Sequence, residues 1–368
     1  MTDLKILAVS DPAVDVYVDD KYGIIKDFNM EDVKVSFDIV PWAVYSTNLQ
    51  KSFEGLLDYD IVMIAGHLWL KDFVDKGYLH SFEYDFSDIP SRIEEEMKID
   101  NQTFLSPSFC DGHMIVYKKD LVKDDVKEIL NVDEYIKIVK NIGKKGNTKP
   151  LVLKGHVSEI FLDALPFLRS SDEKDILYKE KDNVVCNFEN MKAGLEKYLS
   201  LKTFAHENSI NFGNNELIDA FLEKDTAICS IWSGQLGILN SKYESKDNLG
   251  YATFDTAWNV TWSFAITKKC KNKKVAESLL SYLRGKEIDK LVGEYCGCPI
   301  RISNYKENSK GYGWYDLQLK MIENAKPIID LCDTRDKLDI IYGVINETFK
   351  GDITVDEAIE KVKNSQNV

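Results

Sequence analysis

No stretch of the 368 residues approaches the roughly 18 consecutive apolar residues needed to cross a bilayer as a helix, so a membrane-spanning helix is excluded. No Cys-x-x-Cys pair occurs. The seven cysteines, at 110, 186, 229, 270, 296, 298 and 332, are an odd number without a disulfide pattern and read mostly as small buried hydrophobes. Reduced thiols lean toward cytoplasm or an anaerobe's surface. The five histidines, at 67, 80, 113, 156 and 206, lack zinc-ligand spacing, and no Gly-x-Ser-x-Gly elbow, P-loop or His-Glu-x-x-His helix is present. These absences remove the most recognisable hydrolase, nucleotide-binding and metalloprotease classes and call for no cofactor and no metal. A hydrolase working through two carboxylates stays open as the weaker alternative, because acidic pairs occur throughout the chain. Basic residues are also in deficit, 47 Lys and Arg against 61 Asp and Glu, for a net charge of -14 spread along the sequence. That field repels a phosphate backbone, which argues against nucleic acid as a partner. No internal repeat is visible.

What is present fits a folded two-domain chain. Forty-four per cent hydrophobic and 29 per cent charged residues are ordinary for a globular protein, and the length exceeds what one core usually serves. Leu4 to Ser10 and Asp60 to Ala65 have the content of buried strands, and Val33 to Val40 alternates until Pro41 stops it. Val14 to Phe28 supplies a helix between the first two. Apolar strands alternating with helices indicate a parallel sheet covered on both faces, hence an α/β lobe. In such sheets ligands gather at the carboxyl ends of the strands, which marks Asp11, Trp42 and His67. Each has a structural alternative: Trp42 packing under the next helix, Asp11 capping one.

A second lobe begins near Asp120. Asp120 to Lys140 has helical spacing among many charges, Lys144 to Lys149 is a turn, Leu151 to Leu153 a strand, Glu159 to Leu168 a helix, and 172 to 182 a charged excursion. Ala227 to Trp232 and Ser263 to Thr267 are strands, Lys273 to Arg284 and Asp333 to Phe349 helices. Thr354 caps a last helix in a capping box with Glu357.

Several blocks then resemble one family. Ser10-Asp11-Pro12 is followed by Val40-Pro41-Trp42 with Tyr45, by Tyr59-Asp60-Ile61-Val62-Met63-Ile64 and by Trp69-Leu70-Lys71-Asp72-Phe73. Asp111-Gly112 precedes Met114-Ile115-Val116-Tyr117. The most specific block runs Trp262-Ser263-Phe264-Ala265-Ile266-Thr267 to Cys298-Pro299-Ile300-Arg301, and Gly351-Asp352-Ile353-Thr354 opens the tail. In order and spacing, from about residue 4 to 362, the chain resembles the family 1 bacterial extracellular solute-binding proteins of ABC importers. That resemblance implies a periplasmic-binding-protein-like fold of type II: two discontinuous α/β lobes joined by a hinge, with the ligand cleft between them. Lobe 1 would be 1-111 plus 260-310 and lobe 2 112-259 plus 311-368, with crossings near 110-113, 257-262 and 308-315.

It further implies a protein that catalyses nothing, binds a small polar ligand, foremost a sugar, by hinge closure, and passes it as a monomer to ABC permease subunits in the membrane. Sugar recognition needs flat aromatic faces and planar polar groups. The aromatic candidates are Trp42, Trp232 and Trp258; the hydrogen-bonding candidates are Asp11, His67, Asp111, Glu159 and Arg301. Trp232 would equally serve as a core residue, Glu159 as a helix-dipole partner and Arg301 as a structural bridge. Family members are exported and many are lipoproteins, whereas Met1-Thr2-Asp3-Leu4-Lys5 runs straight into a strand. The expectation is an extracytoplasmic protein whose leader has been removed; a cytoplasmic, sensor-coupled protein is the alternative. Relatives with Gly-Gly before the Trp262 strand contrast with Ala257-Trp258-Asn259-Val260-Thr261 here, and a polyamine remains an alternative ligand.

Overall fold

A computed structural model describes residues 2–28, 30–144, 149–171, 175–180, 183–326 and 335–366. Cys332, much of the expected turn at 144–149 and part of the charged excursion at 172–182 lie outside the described residues. The chain divides into two compact units, Met1–Asp111 with Leu236–Ile238 and Val260–Glu323, and Gly112–Gln235 with Leu239–Asn259 and Asn324–Val368. Residues 311–323 go with the first unit, where the Gln318 amide donates to the Cys110 carbonyl (3.2 Å) and Tyr315 packs on Tyr305.

The first unit is built around the strand Thr2–Val9. Val33–Val40 pairs with it in parallel from Thr2↔Val33 to Val9↔Val40, and Ile61–Ala65 pairs in parallel on its other side (Ile6↔Ile61). Asn259–Ile266 then joins antiparallel, with Trp262 opposite Ala65. All five residues of Ile61–Ala65 are buried, which is why the sequence there is a continuous apolar run. The helix expected from Val14 to Phe28 is broken into Pro12–Val18 and Ile24–Asp27: the first ends where Asp19 turns extended, and Gly23, left-handed at φ 64°, precedes the second. Asp11 caps the first of these and Pro12 occupies its opening turn.

The second unit continues the strand Ser106–Lys118 beyond Asp111. Ile228–Trp232 runs antiparallel to it, with Trp232 opposite His113 and Ile228 opposite Tyr117, and Leu151–Val152 adds in parallel. Leu249–Phe254 pairs with the other side of Ser106–Lys118. Around this sheet stand helices Val132–Lys144, Ile160–Leu168, Phe188–Leu199, Asn214–Leu222, Arg335–Lys350 and Val355–Gln366. The capping box is formed: Thr354 N donates to Glu357 Oε2 at 2.7 Å and Glu357 N to Thr354 Oγ1 at 3.2 Å. The six cysteines that are described are buried and none of them is in a disulfide.

Helices Ile160–Leu168 and Phe188–Leu199 approach closely at Gly194, where an added Cβ would lie 2.4 Å from both Leu168 Cα and the Phe167 carbonyl oxygen. Both atoms belong to the backbone and cannot swing away. Gly194→Ala is therefore expected to destabilise the protein by about 1–3 kcal/mol in spite of its better helix propensity. Urea unfolding of the two proteins side by side measures this difference.

Candidate functional site

Parallel pairing sends three strands of the first unit to the same sheet edge, and the residues that follow them are Asp11, Trp42 and His67. The antiparallel fourth strand delivers Trp262 to that edge as well, since it faces Ala65. Trp42 is 42% exposed, a large apolar ring left in solvent. It meets Trp262 edge-on (5.8 Å, 84°) and Trp69 at 5.9 Å, with buried Tyr45 beneath, packed on Trp69 and Trp262 and donating its hydroxyl to the Met63 carbonyl. Trp262 was legible only as part of a strand motif. Its role at the edge depends on strand direction.

Asp11 accepts the Ala13 N–H at 2.8 Å. Burial, followed by the nearby Asp111 carboxylate, pushes its pKa up to about 8, against the pull of that backbone hydrogen bond. Asp111 itself is 7% exposed. Burial likewise holds His67 neutral, its pKa pushed down to about 3. Arg301 is occupied elsewhere in the unit: Nη1 donates to Asp88 Oδ2 (3.2 Å), and Nε and Nη2 donate to the Arg284 carbonyl (3.0 and 2.8 Å). Those bonds hold the start of helix Ile302–Asn308, whose Ser303 also bonds Asp88.

In the second unit, directly opposed residues on adjacent strands share a face of the sheet. His113 and Trp232 are such a pair, and their rings stack at 4.6 Å and 26°. The His113 Nε2–H donates to the Leu162 carbonyl (2.7 Å), and Nδ1 accepts the Trp258 N–H (3.3 Å), which defines a neutral tautomer. Burial and the adjacent Lys154 ammonium push its pKa down to about 3. Trp258 closes the group edge-on to Trp232 (5.9 Å, 71°). Trp232 Nε1 donates to Glu159 Oε2 at 3.2 Å, and the Lys154 ammonium stands 4.8 Å from its ring centroid. Trp232 and Trp258 are 5% and 3% exposed, so protein covers most of both rings. Trp232, Trp258 and Glu159 are expected from the sequence; His113 and Lys154 are not, since their only sequence signal is a place in or beside a buried strand.

A separate cleft of about 510 Å³ in the first unit, lined by Phe82, Tyr84, Ser106, Lys274, Glu277 and Arg284, contains none of the expected site residues. Among the described residues, no group of three His, Cys, Asp or Glu side chains is arranged to hold a metal ion, and no helix is long and apolar enough to cross a membrane.

Two α/β units, with Asp11, Trp42 and His67 just past strands of the first and Trp232 ending a strand of the second, have a type II periplasmic-binding-protein-like fold. The chain belongs to the bacterial extracellular solute-binding protein family, whose model matches residues 16–290. Solved structures with this fold include the maltose-bound MalE3 of T. maritima, 17% identical with a TM-score of 0.82 over 99% of both chains. The GacH receptor of Streptomyces glaucescens, solved unliganded and with acarbose, is 17% identical (TM-score 0.82, 100% of this chain and 98% of that one). An ABC transporter solute-binding protein from Agrobacterium radiobacter in complex with ribitol is 16% identical (TM-score 0.83, 99% and 98%). These are binding proteins. No curated protein sequence matches the chain.

The Asp11 shift has a consequence for stability. A carboxyl whose folded pKa lies above its unfolded value of 3.8 contributes stability that is full below that value and lost as pH rises through about 8. Asp11→Asn keeps a capping oxygen but cannot ionise. Between pH 5 and pH 9 the wild-type protein is expected to lose stability relative to Asp11→Asn, as read by denaturant midpoints at each pH; parallel curves would remove the buried-carboxyl account.

Proposed function

We propose that this protein is the substrate-binding component of an ABC importer and that its ligand is a carbohydrate or polyol, held by hinge closure and delivered to a membrane permease. It acts as a monomer outside the cytoplasm and catalyses no reaction. The observation that carries this reading is the edge of the first unit's sheet, where the exposed Trp42 indole stands at an angle to Trp262, with Asp11 and His67 at the ends of neighbouring strands. An indole face covers the C–H surface of a sugar ring, while carboxyl, imidazole and amide groups take its hydroxyls. The ligands of the structural neighbours, maltose, acarbose and ribitol, belong to that chemistry. Asp111 in the same unit and Glu159, Trp232 and Trp258 in the other complete the proposed binding set. Arg301, whose guanidinium is bonded to Asp88 and the Arg284 carbonyl, is given a structural role in this reading.

A thermal-shift panel of maltose, maltotriose, mannitol, ribitol and tagatose tests the class, because a ligand that binds only the folded state raises the melting temperature. At least one is expected to stabilise the protein, and small-angle scattering is expected to show a smaller radius of gyration with that ligand. A silent panel with superimposable scattering curves would end the proposal. Because Trp42 is partly exposed, Trp42→Ala is expected to lower the unliganded melting temperature only modestly, by the packing it makes on Trp69 and Trp262. Its affinity for the stabilising ligand should fall by at least tenfold, about 1.4 kcal/mol, in calorimetry.

A further inference from the structure

Lys154 carries a charge that belongs to no motif. It follows the buried strand Leu151–Val152, and its side chain is 1% exposed. Its ammonium lies 4.8 Å from the Trp232 ring centroid, 3.9 Å from Glu159 Oε2 and 3.5 Å from Asn214 Oδ1. The same Glu159 oxygen accepts the Trp232 N–H at 3.2 Å. One carboxylate thus faces both an ammonium and an indole N–H, and the indole, whose π surface attracts cations, already has one beside it. The two rings packed on it, His113 and Trp258, are uncharged.

We infer that Lys154 is a specificity-determining residue: it supplies from inside the protein the cation that Trp232 and Glu159 would otherwise take from a ligand, so that this part of the site rejects polyamines and admits neutral polyhydroxylated solutes. The inference rests on the reading of the protein as a solute receptor and narrows its ligand class. A second ammonium brought to the indole meets a like charge that water does not screen, and repulsion there is far stronger than at the surface. A hydroxyl brings no charge and can still donate to the carboxylate of Glu159, which is 18% exposed.

The test compares the whole chain with Lys154→Met, which keeps the length and apolar stem of the side chain and removes its charge, and with Lys154→Arg, which keeps the charge. Each is titrated by calorimetry with spermidine, and separately with maltose and ribitol, at about 150 mM salt to screen diffuse attraction to the acidic surface. Lys154→Met is expected to bind spermidine at least tenfold more tightly than the wild-type and Lys154→Arg proteins. A Lys154→Met protein that is folded by circular dichroism and gains nothing for spermidine overturns the inference, as does tight spermidine binding by the wild type. If Lys154→Met does not fold, Lys154→Gln undergoes the same titrations and is judged by the same outcomes. Failure of the receptor reading shows separately, as a wild-type protein that no sugar or polyol of the panel stabilises, whatever spermidine does to the variants.

Discussion

In the first unit the strand Thr2–Val9 is hydrogen-bonded on both sides to strands that run in its own direction, and this constraint decides where the polar chemistry stands. Parallel neighbours must finish at the same edge, so the residues just past them are brought together although they are far apart in the chain. Reversal of the fourth strand adds Trp262 to the edge from the opposite direction. In the second unit the antiparallel register of Ile228–Trp232 against Ser106–Lys118 has the corresponding effect, setting Trp232 over His113 on one face. A one-residue slip in that pairing would send both rings to opposite faces.

The two units handle buried charge differently. In the first, burial, followed by the Asp111 carboxylate, raises the pKa of Asp11 to about 8, which favours its protonated form. In the second, opposite charges are gathered: Lys154 and Glu159 face each other beside an indole that interacts with both. Asp163, deeper in the same unit, accepts the Tyr198 hydroxyl (2.8 Å) and the Lys154 backbone N–H (3.2 Å). Burial still pushes its pKa up to about 6.

Some of this was readable residue by residue. The apolar run ending at Ala65, the stop at Pro41 and the Thr354 capping box each have a local cause, and each element formed where that cause lies. The helix expected between the first two strands is longer than the one formed, because periodicity carries across the turn from Asp19, extended, to Gly23, left-handed, that separates two short helices. Arg301 had the chemistry of a ligand-binding residue, and nothing in its neighbours along the chain tells that Asp88 and the Arg284 carbonyl would take its donors. Lys154 and His113 had no signal beyond a place in or beside a buried strand, because their significance comes from rings and carboxylates on other segments.

The sequence by itself determined the α/β class, the family and the strand ends at which Asp11, Trp42 and His67 stand, because hydrophobic period and chain punctuation are local properties that survive without coordinates. Only the tertiary structure decided which of the polar and aromatic candidates share an environment, which donors are already spent and which charges are buried together. Those are distances between segments remote in the chain, set by strand direction and register, and a linear pattern does not contain them.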